Sequence, residues 1–352
     1  MKSNQSVTTA RSSASWQSGA SLFLDWFVRH GWQPFLFQRE AWAAFGNGDS
    51  GLIHSATGTG KSYAALMGPL MDWVNQHPDQ SQWPAMKPPA LTVLWITPLR
   101  ALAADTEESV TLPIQELSIP WTVGRRTGDT SSSQRQKQKA QLPSLLITTP
   151  ESLSLQLSYA DAPEKFRNLQ AVVVDEWHEL MGSKRGTMTE LCLAHLRSWQ
   201  PDLPVWGLSA TIGNLDVAME CLLGNKTDKA KLIEGNLPKS YRIESLIPEA
   251  IERFPWAGHI GLKMLPQVIE AIEKANSTLV FTNVRSQCEI WYQAMIEARP
   301  DWAGLVAIHH GSLSREVREW VENSLRAGKL LAVVCTSSLD LGVDFSPVDQ
   351  VI

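Results

Sequence analysis

From about Gly51 onward, short apolar blocks alternate with helix-like segments. The blocks Gly51–Ser55, Leu91–Thr97, Leu145–Thr149, Ala171–Asp175 and Val205–Ser209 are strand-sized and rich in Val, Leu and Ile. Most are followed by helical stretches such as Lys61–Gln76 and Pro98–Leu117. Strand, crossover helix, strand predicts a parallel sheet covered on both faces. The alternation fades between Gly224 and Pro248, where Lys, Asp, Gly and Pro gather, and restarts with a long helix-like stretch, His259–Ala275. Further strands are predicted at Thr278–Asn283, Leu305–His310, Leu330–Cys335 and Asp349–Ile352. Ser314–Ala327 sets Val317, Trp320, Val321 and Leu325 on one helical face and ends at Gly328, as an amphipathic helix with a C-terminal glycine does. The pattern predicts an α/β protein: a loose tail over 1–19, a domain over 20–235, a linker over 236–250 and a second domain over 251–352.

Composition narrows this reading. A chain of 352 residues suits about two domains with sizeable cores. Hydrophobic content of 43% and charged content of 19% describe a globular chain and exclude a disordered one. No apolar run approaches the roughly 18 residues of a membrane helix, and the Ser/Thr-rich N-terminus lacks a signal-peptide apolar region, so a cytoplasmic protein with no membrane partner is expected. Cys192, Cys221, Cys288 and Cys335 are isolated singles, which argues against structural zinc and against a disulfide framework. The net charge of −5 excludes a polycation, so any nucleic-acid contact must come from a local patch. The 15 Trp are read as core and helix-packing residues.

Candidate chemistry begins after the first predicted strand. Ser55-Ala56-Thr57-Gly58-Thr59-Gly60-Lys61-Ser62 has the G-K-S ending of a P-loop, with Ser55 where that pattern has glycine. Its backbone N–H groups would close around phosphates, helped by the positive end of the following helix. Lys61 would reach the β/γ-phosphates of ATP, and the Ser62 hydroxyl would ligate Mg²⁺. Ala171-Val172-Val173-Val174-Asp175-Glu176-Trp177-His178 supplies the acidic partner: a buried strand with Asp175 at its carboxyl end. Asp175 would hold Mg²⁺ through water, and Glu176 would orient and deprotonate the attacking water.

An Asp-Glu-x-His box after a P-loop resembles the superfamily 2 DExH-box helicases. Gly31–Gln38 resembles their adenine-reading segment, and Gln38 carries the donor and acceptor that an adenine edge requires. Thr97–Leu102, Arg126–Thr130 and Thr148–Leu153 resemble their strand-gripping motifs, and Ser209-Ala210-Thr211 their coupling motif. In the second domain Val280–Ser286, His309–Ser314 and Thr336–Phe345 resemble the later motifs. The wording of Gly31–Trp42, Ser50–Ser62, Lys184–Gly186, His309–Arg318 and Thr336–Phe345 is similar to the large helicase-related (Lhr-type) DNA helicases, nearest their bacterial ligase-associated branch.

The resemblance implies two tandem RecA-like P-loop NTPase domains, with ATP between them and nucleic acid crossing the opposite face. Ala56, Thr57, Gly58, Thr59, Gly60, Lys61, Ser62, Gln38 and Asp175 would hold the nucleotide from the first domain, and Gly342 and Asp344 from the second. Thr97, Arg100, Thr127, Gly128, Thr149 and Glu151 would lie along one strand of single-stranded or partly duplex DNA. Asn283, Arg285, His310, Gly311, Ser312, Thr336 and Ser337 would grip it from the second domain. Hydroxyls, backbone amides and helix N-termini suit phosphates without reading bases, although each hydroxyl taken singly suits a turn or helix cap equally well. His178 would couple the nucleotide to Ser209 and Thr211. The implied activity is an ATP-dependent, 3′-to-5′ DNA helicase or translocase, with DNA ligases or nucleases of repair as partners. The family continues past its Thr336–Phe345-like motif into a helix bearing arginine fingers, which contribute about 10³–10⁵ in rate, and no such segment is present here. The expectation is a chain that stops inside its second domain. Two alternatives stay open, a fragment that binds nucleotide and nucleic acid with little turnover and an RNA-directed enzyme; a non-catalytic nucleic-acid-binding module fits poorly with Lys61, Asp175 and Glu176 intact, and a small-molecule P-loop kinase fits least.

Overall fold

The structure is a computed structural model that describes residues 13–224, 230–235, 242–247, 261–339 and 348–352, without the side chains of 13–18, 100, 101, 315 and 338. The chain divides between residues 237 and 238 into two compact units. The expected linker 236–250 lies mostly outside the described residues.

The first unit is built on strands β1 (Ser50–Ser55), β2 (Val93–Ile96), β3 (Val123–Arg126), β4 (Leu145–Thr148), β5 (Ala171–Val174), β6 (Val205–Ser209) and β7 (Ala230–Gly235). They form one sheet in the order β3-β4-β2-β5-β6-β1-β7, with every neighbouring pair parallel. Alternate residues feed two cores, as a pleated strand requires. Ile53, Trp95, Val173 and Leu208 enter the core on one face, and Leu52, Leu94, Ile96, Val172 and Val174 that on the other. Helices α1 (Ser13–Arg29), α2 (Leu36–Gly46), α3 (Lys61–Gln76) and α4 (Arg100–Glu116) supply the first core. After α5 (Ser132–Ala140), which buries none of its residues, α6 (Pro150–Leu157), α7 (Ala162–Phe166), α8 (Trp177–Leu180), α9 (Lys184–Trp199) and α10 (Leu215–Leu223) supply the second.

Three differences from the sequence reading have physical causes. Helix α1 begins at Ser13, inside the expected tail 1–19. Phe23, Trp26 and Phe27 bury fully or nearly so, and extending a helix already nucleated by such contacts costs little per residue. Strands β3 and β7 escaped the apolar-block reading because they are the sheet's edges. Each has one neighbour and a half-wet face, so Val-Gly-Arg-Arg and Ala-Lys-Leu-Ile-Glu-Gly never become continuous apolar runs. The helix expected over His259–Ala275 is shorter: a 3₁₀ turn at Leu262–Met264 precedes α11 (Leu265–Glu273). Pro266 favours the first helical turn, and Gly261 at φ +74° marks the bend before it.

The second unit continues with α12 (Arg285–Ala298) and α13 (Arg315–Arg326) around strands β8 (Thr278–Phe281), β9 (Val306–His309), β10 (Ala332–Cys335) and β11 (Gln350–Val351). These are parallel in the order β11-β8-β10-β9. On α13, Val321 and Leu325 are buried, but Val317 and Trp320 are exposed. A 3.6-residue turn rotates each four-residue step by about 40°, so the stripe predicted from Val317 drifts off the core. Among the described residues no helix is long and apolar enough to cross a membrane. The four cysteines are free, and three of them are buried.

Candidate nucleotide site and nucleic-acid edge

Strands β5, β6 and β1 are consecutive in the sheet, so the segments leaving their carboxyl ends lie side by side. These are the acidic box, Ser209 and the P-loop. Gly58 and Gly60 take φ of +77° and +80°, values that side chains rarely adopt. Ser55, the departure from the P-loop pattern, ties the loop down: its Oγ donates to Gly235 O at 2.9 Å and accepts from Thr59 Oγ1 at 2.9 Å. Lys61 is buried at 7% exposure, with Nζ donating to Ser55 O at 2.8 Å and Ala56 O at 3.1 Å. Ser62 follows, half-buried, in the first turn of α3.

Gln38 is 2% exposed and both ends of its amide are engaged within the chain. Its Oε1 accepts from Phe35 N at 2.9 Å, and its Nε2 donates to Gly60 O at 2.9 Å. The residue read from sequence as facing adenine thus locks the N-terminus of α2 to the P-loop. Gly60→Ala should be costly for the same reason. A Cβ there would stand 2.6 Å from Gln38 Nε2 on a backbone with φ +80°. A loss of about 1–3 kcal/mol in denaturant unfolding is expected, and an unchanged midpoint would contradict it.

Asp175 and Glu176 are buried side by side. Asp175 accepts from Glu176 N on Oδ1 at 3.0 Å and from Trp95 Nε1 on Oδ2 at 3.1 Å. Glu176 adopts φ +44°, ψ 49°, a left-handed conformation that costs a non-glycine residue about 1–2 kcal/mol. Its Oε2 is buried without a hydrogen-bond partner. Burial pushes both carboxyls above the usual range; the Glu176 charge adds to the rise at Asp175, and Lys61 opposes it at both. His178 Nδ1 lies 3.2 Å from Ser209 Oγ and 3.5 Å from Glu176 Oε2. Burial lowers the His178 pKa, so the imidazole is neutral near pH 7 and its contact with Glu176 is not an ion pair. Thr211 is exposed and makes no hydrogen bond to His178.

These residues fit a magnesium nucleotide. The buried unsatisfied oxygen of Glu176 faces chemistry that calls for a water, and Lys61 is a buried cation among loop carbonyls. Among the described residues no cluster of three or more His, Cys, Asp or Glu could hold a metal alone. Mg²⁺ needs none, because it takes one or two protein ligands plus phosphates and waters.

The other half of the same edge carries the proposed strand contacts. Thr97, Thr127 and Thr149 each directly follow one of the adjacent strands β2, β3 and β4. In the first unit both sets of residues therefore lie along the carboxyl edge, because every strand of a parallel sheet ends on the same side. The three threonines are buried and their hydroxyls turn inward. Thr97 Oγ1 donates to Leu99 O, Thr127 Oγ1 accepts from Asp129 N, and Thr149 Oγ1 donates to Ser152 Oγ. Gly128 is exposed, and Arg135 holds its carbonyl at 2.7 Å. Glu151 is paired bidentately with Arg185 at 2.5 and 3.1 Å, which neutralises its charge. Arg100 opens α4.

In the second unit Asn283, His310 and Thr336 follow the adjacent strands β8, β9 and β10 closely. Arg285 Nη1 donates to Ser312 Oγ at 3.1 Å. Gly311, Ser312 and Ser337 are exposed, whereas His310 is 3% exposed with neither ring nitrogen hydrogen-bonded. Glu289 Oε1 stands 3.4 Å from its Nε2. Gly342 and Asp344 lie outside the described residues.

Comparison with known proteins matches residues 35–218 to the DEAD/DEAH box helicase family and residues 261–352 to the helicase conserved C-terminal domain. The chain belongs to the DEAD/DEAH box helicases. Within them it is of the Lhr type, with two RecA-like units. It is 32% identical to the ATP-dependent helicase Lhr-Core protein 2 of Thermococcus barophilus over 90% of this chain and 38% of that protein. It is 31% identical to the Lhr helicase/probable uracil glycosylase of Mycolicibacterium smegmatis over 95% of this chain and 24% of that protein. The solved structure of Mycobacterium smegmatis helicase Lhr bound to ssDNA and AMP-PNP aligns with a TM-score of 0.72 and 30% identity, over 95% of this chain and 43% of that one. This helicase chain thus spans well under half the length of these relatives.

Sequence reasoning missed several residues that brace the candidate site. Trp177, given no role, donates Nε1 to Ala218 O at 2.9 Å and anchors the acidic box to α10. Arg135, Arg185 and Trp95 act through partners 7, 34 and 80 residues away, which no local motif encodes.

Proposed function

We propose that this chain is the ATP-hydrolysing motor portion of a longer Lhr-type helicase that tracks single-stranded DNA. The observation that carries the reading is the meeting of Lys61, Asp175 and Glu176 at neighbouring strand ends, with Ser209 and His178 beside them. Lys61 exchanges its loop carbonyls for phosphate oxygens and offsets the charge that develops there. Ser62 and Asp175 would hold Mg²⁺, which neutralises charge across the β- and γ-phosphates when bound. Glu176 orients the attacking water, and its raised pKa makes it a better proton acceptor near neutral pH. The His178–Ser209 contact links that carboxylate to β6, whose neighbour in the sheet is β5, the strand that runs into the acidic box.

DNA is favoured because the M. smegmatis Lhr structure, 30% identical, was solved with ssDNA and AMP-PNP. The ligase-associated resemblance extends the proposal to repair, with DNA ligases or nucleases as partners. Matched DNA and RNA strands should separate the readings. Single-stranded DNA is expected to stimulate ATP hydrolysis by roughly tenfold more than RNA, with binding weakening by a log–log slope of about −0.7 per phosphate contacted as salt rises. Equal or greater stimulation by RNA would move the enzyme to an RNA substrate. Binding without stimulated turnover would make this chain a grip without a motor.

A further inference from the structure

We infer that Trp95 is a positioning residue for the magnesium-bearing aspartate, holding the Asp175 carboxylate in its working orientation through the indole N–H. Trp95 lies on β2 opposite Val173 of β5, and the ladder runs on to Asp175, whose N donates to Ile96 O at 2.8 Å. Val173 and Asp175 are two residues apart and so share a face of the sheet with Trp95. The indole crosses diagonally to Asp175 Oδ2 at 3.1 Å, while Glu176 N takes Oδ1 at 3.0 Å. Both carboxylate oxygens are thereby fixed by groups of the chain.

Trp95 is fully buried, on the face of the sheet that carries Ile53, Val173 and Leu208 and away from its chain neighbours Leu94 and Ile96. Other buried indoles of the described residues differ in their partners: Trp83 donates to His77 O, Trp177 to Ala218 O and Trp26 to Glu116 Oε2, while Trp121 and Trp206 have no hydrogen-bond acceptor. Trp95 alone among these donates to a carboxylate of the acidic box. A donor-only partner fixes one carboxylate oxygen and removes rotameric freedom that metal binding would otherwise have to quench. The inference rests on the nucleotide-site reading above and adds a residue that the motif pattern does not contain.

Trp95→Phe keeps the ring and deletes the donor. In titrations of a fluorescent ADP analogue with the full 352-residue chain, the Mg²⁺ concentration for half-maximal binding should rise by about tenfold, with affinity in chelator unchanged. Trp95→Tyr, which restores a hydroxyl donor, should fall between Phe and wild type. Trp83→Phe removes a comparable buried indole bond away from the acidic box and should leave the Mg²⁺ dependence at the wild-type value. Wild-type Mg²⁺ dependence in both Trp95 variants, or an equal shift in Trp83→Phe, overturns the inference while leaving the site reading intact. Nucleotide binding by the wild-type chain that ignores Mg²⁺ overturns both.

Discussion

Glu176→Gln is expected to lower ATP turnover by about 10²–10⁴-fold while nucleotide binding persists. The substitution preserves volume and removes only the charge. Gln tolerates the same backbone, at φ +44°, about as well as Glu, so the conformational strain is unchanged. What disappears is a buried proton acceptor whose Oε2 has no partner within the chain. The charge lost is one that burial disfavours and that stands beside a second buried carboxylate. Folding stability should therefore hold or rise, so steady-state hydrolysis read beside a thermal melt separates a chemical loss from a folding one. Turnover within tenfold of wild type would remove Glu176 from the chemistry.

Lys61→Met should cost about 10²–10³ in turnover, the scale of removing one preorganised donor from developing charge. Here nucleotide affinity should fall as well, which sets the outcome apart from Glu176→Gln. Lys61 also holds the P-loop to itself through Ser55 O and Ala56 O and is the cation that opposes the raised pKa of both acids. Methionine fills the same channel but leaves those carbonyls and both carboxylates without it. A binding titration and a hydrolysis assay on one preparation check both losses. Full nucleotide affinity in the variant would show that the lysine serves the loop and not the phosphates.

In the first unit the strands that proved legible are those with a neighbour on each side. A central parallel strand excludes polar residues, so its run of apolar letters announces it: Ala171-Val172-Val173-Val174 and Leu145-Leu146-Ile147-Thr148 bury throughout. The edge strands β3 and β7 stayed silent because water covers half their surface. The P-loop and acidic box were legible for a different reason. Their chemistry is backbone-local, with glycines at positive φ and a carboxylate pair at a strand's end, so consecutive letters suffice. Gln38 carries a part that the letters do not show, since the amide read as suiting an adenine edge also joins Phe35 N to Gly60 O. Thr97, Thr127 and Thr149 add another such part, because their hydroxyls also bond within their own turns.

The sequence by itself determined the parallel α/β class, the ends of the central strands, the loop that would cradle phosphates and the acids that would serve it. Those properties follow from local spacing, since side-chain period and dihedral preference are written in neighbouring residues. Only the tertiary structure decided that β5, β6 and β1 are adjacent, which brings Asp175, Ser209 and Lys61 to one edge. It alone decided that both candidate sets of the first unit lie along that edge, that Arg185 neutralises Glu151, and that Trp95 reaches Asp175 across 80 residues. Strand order and cross-strand contacts depend on which helices cover which face and on how distant segments pack, and no window of consecutive residues contains that information.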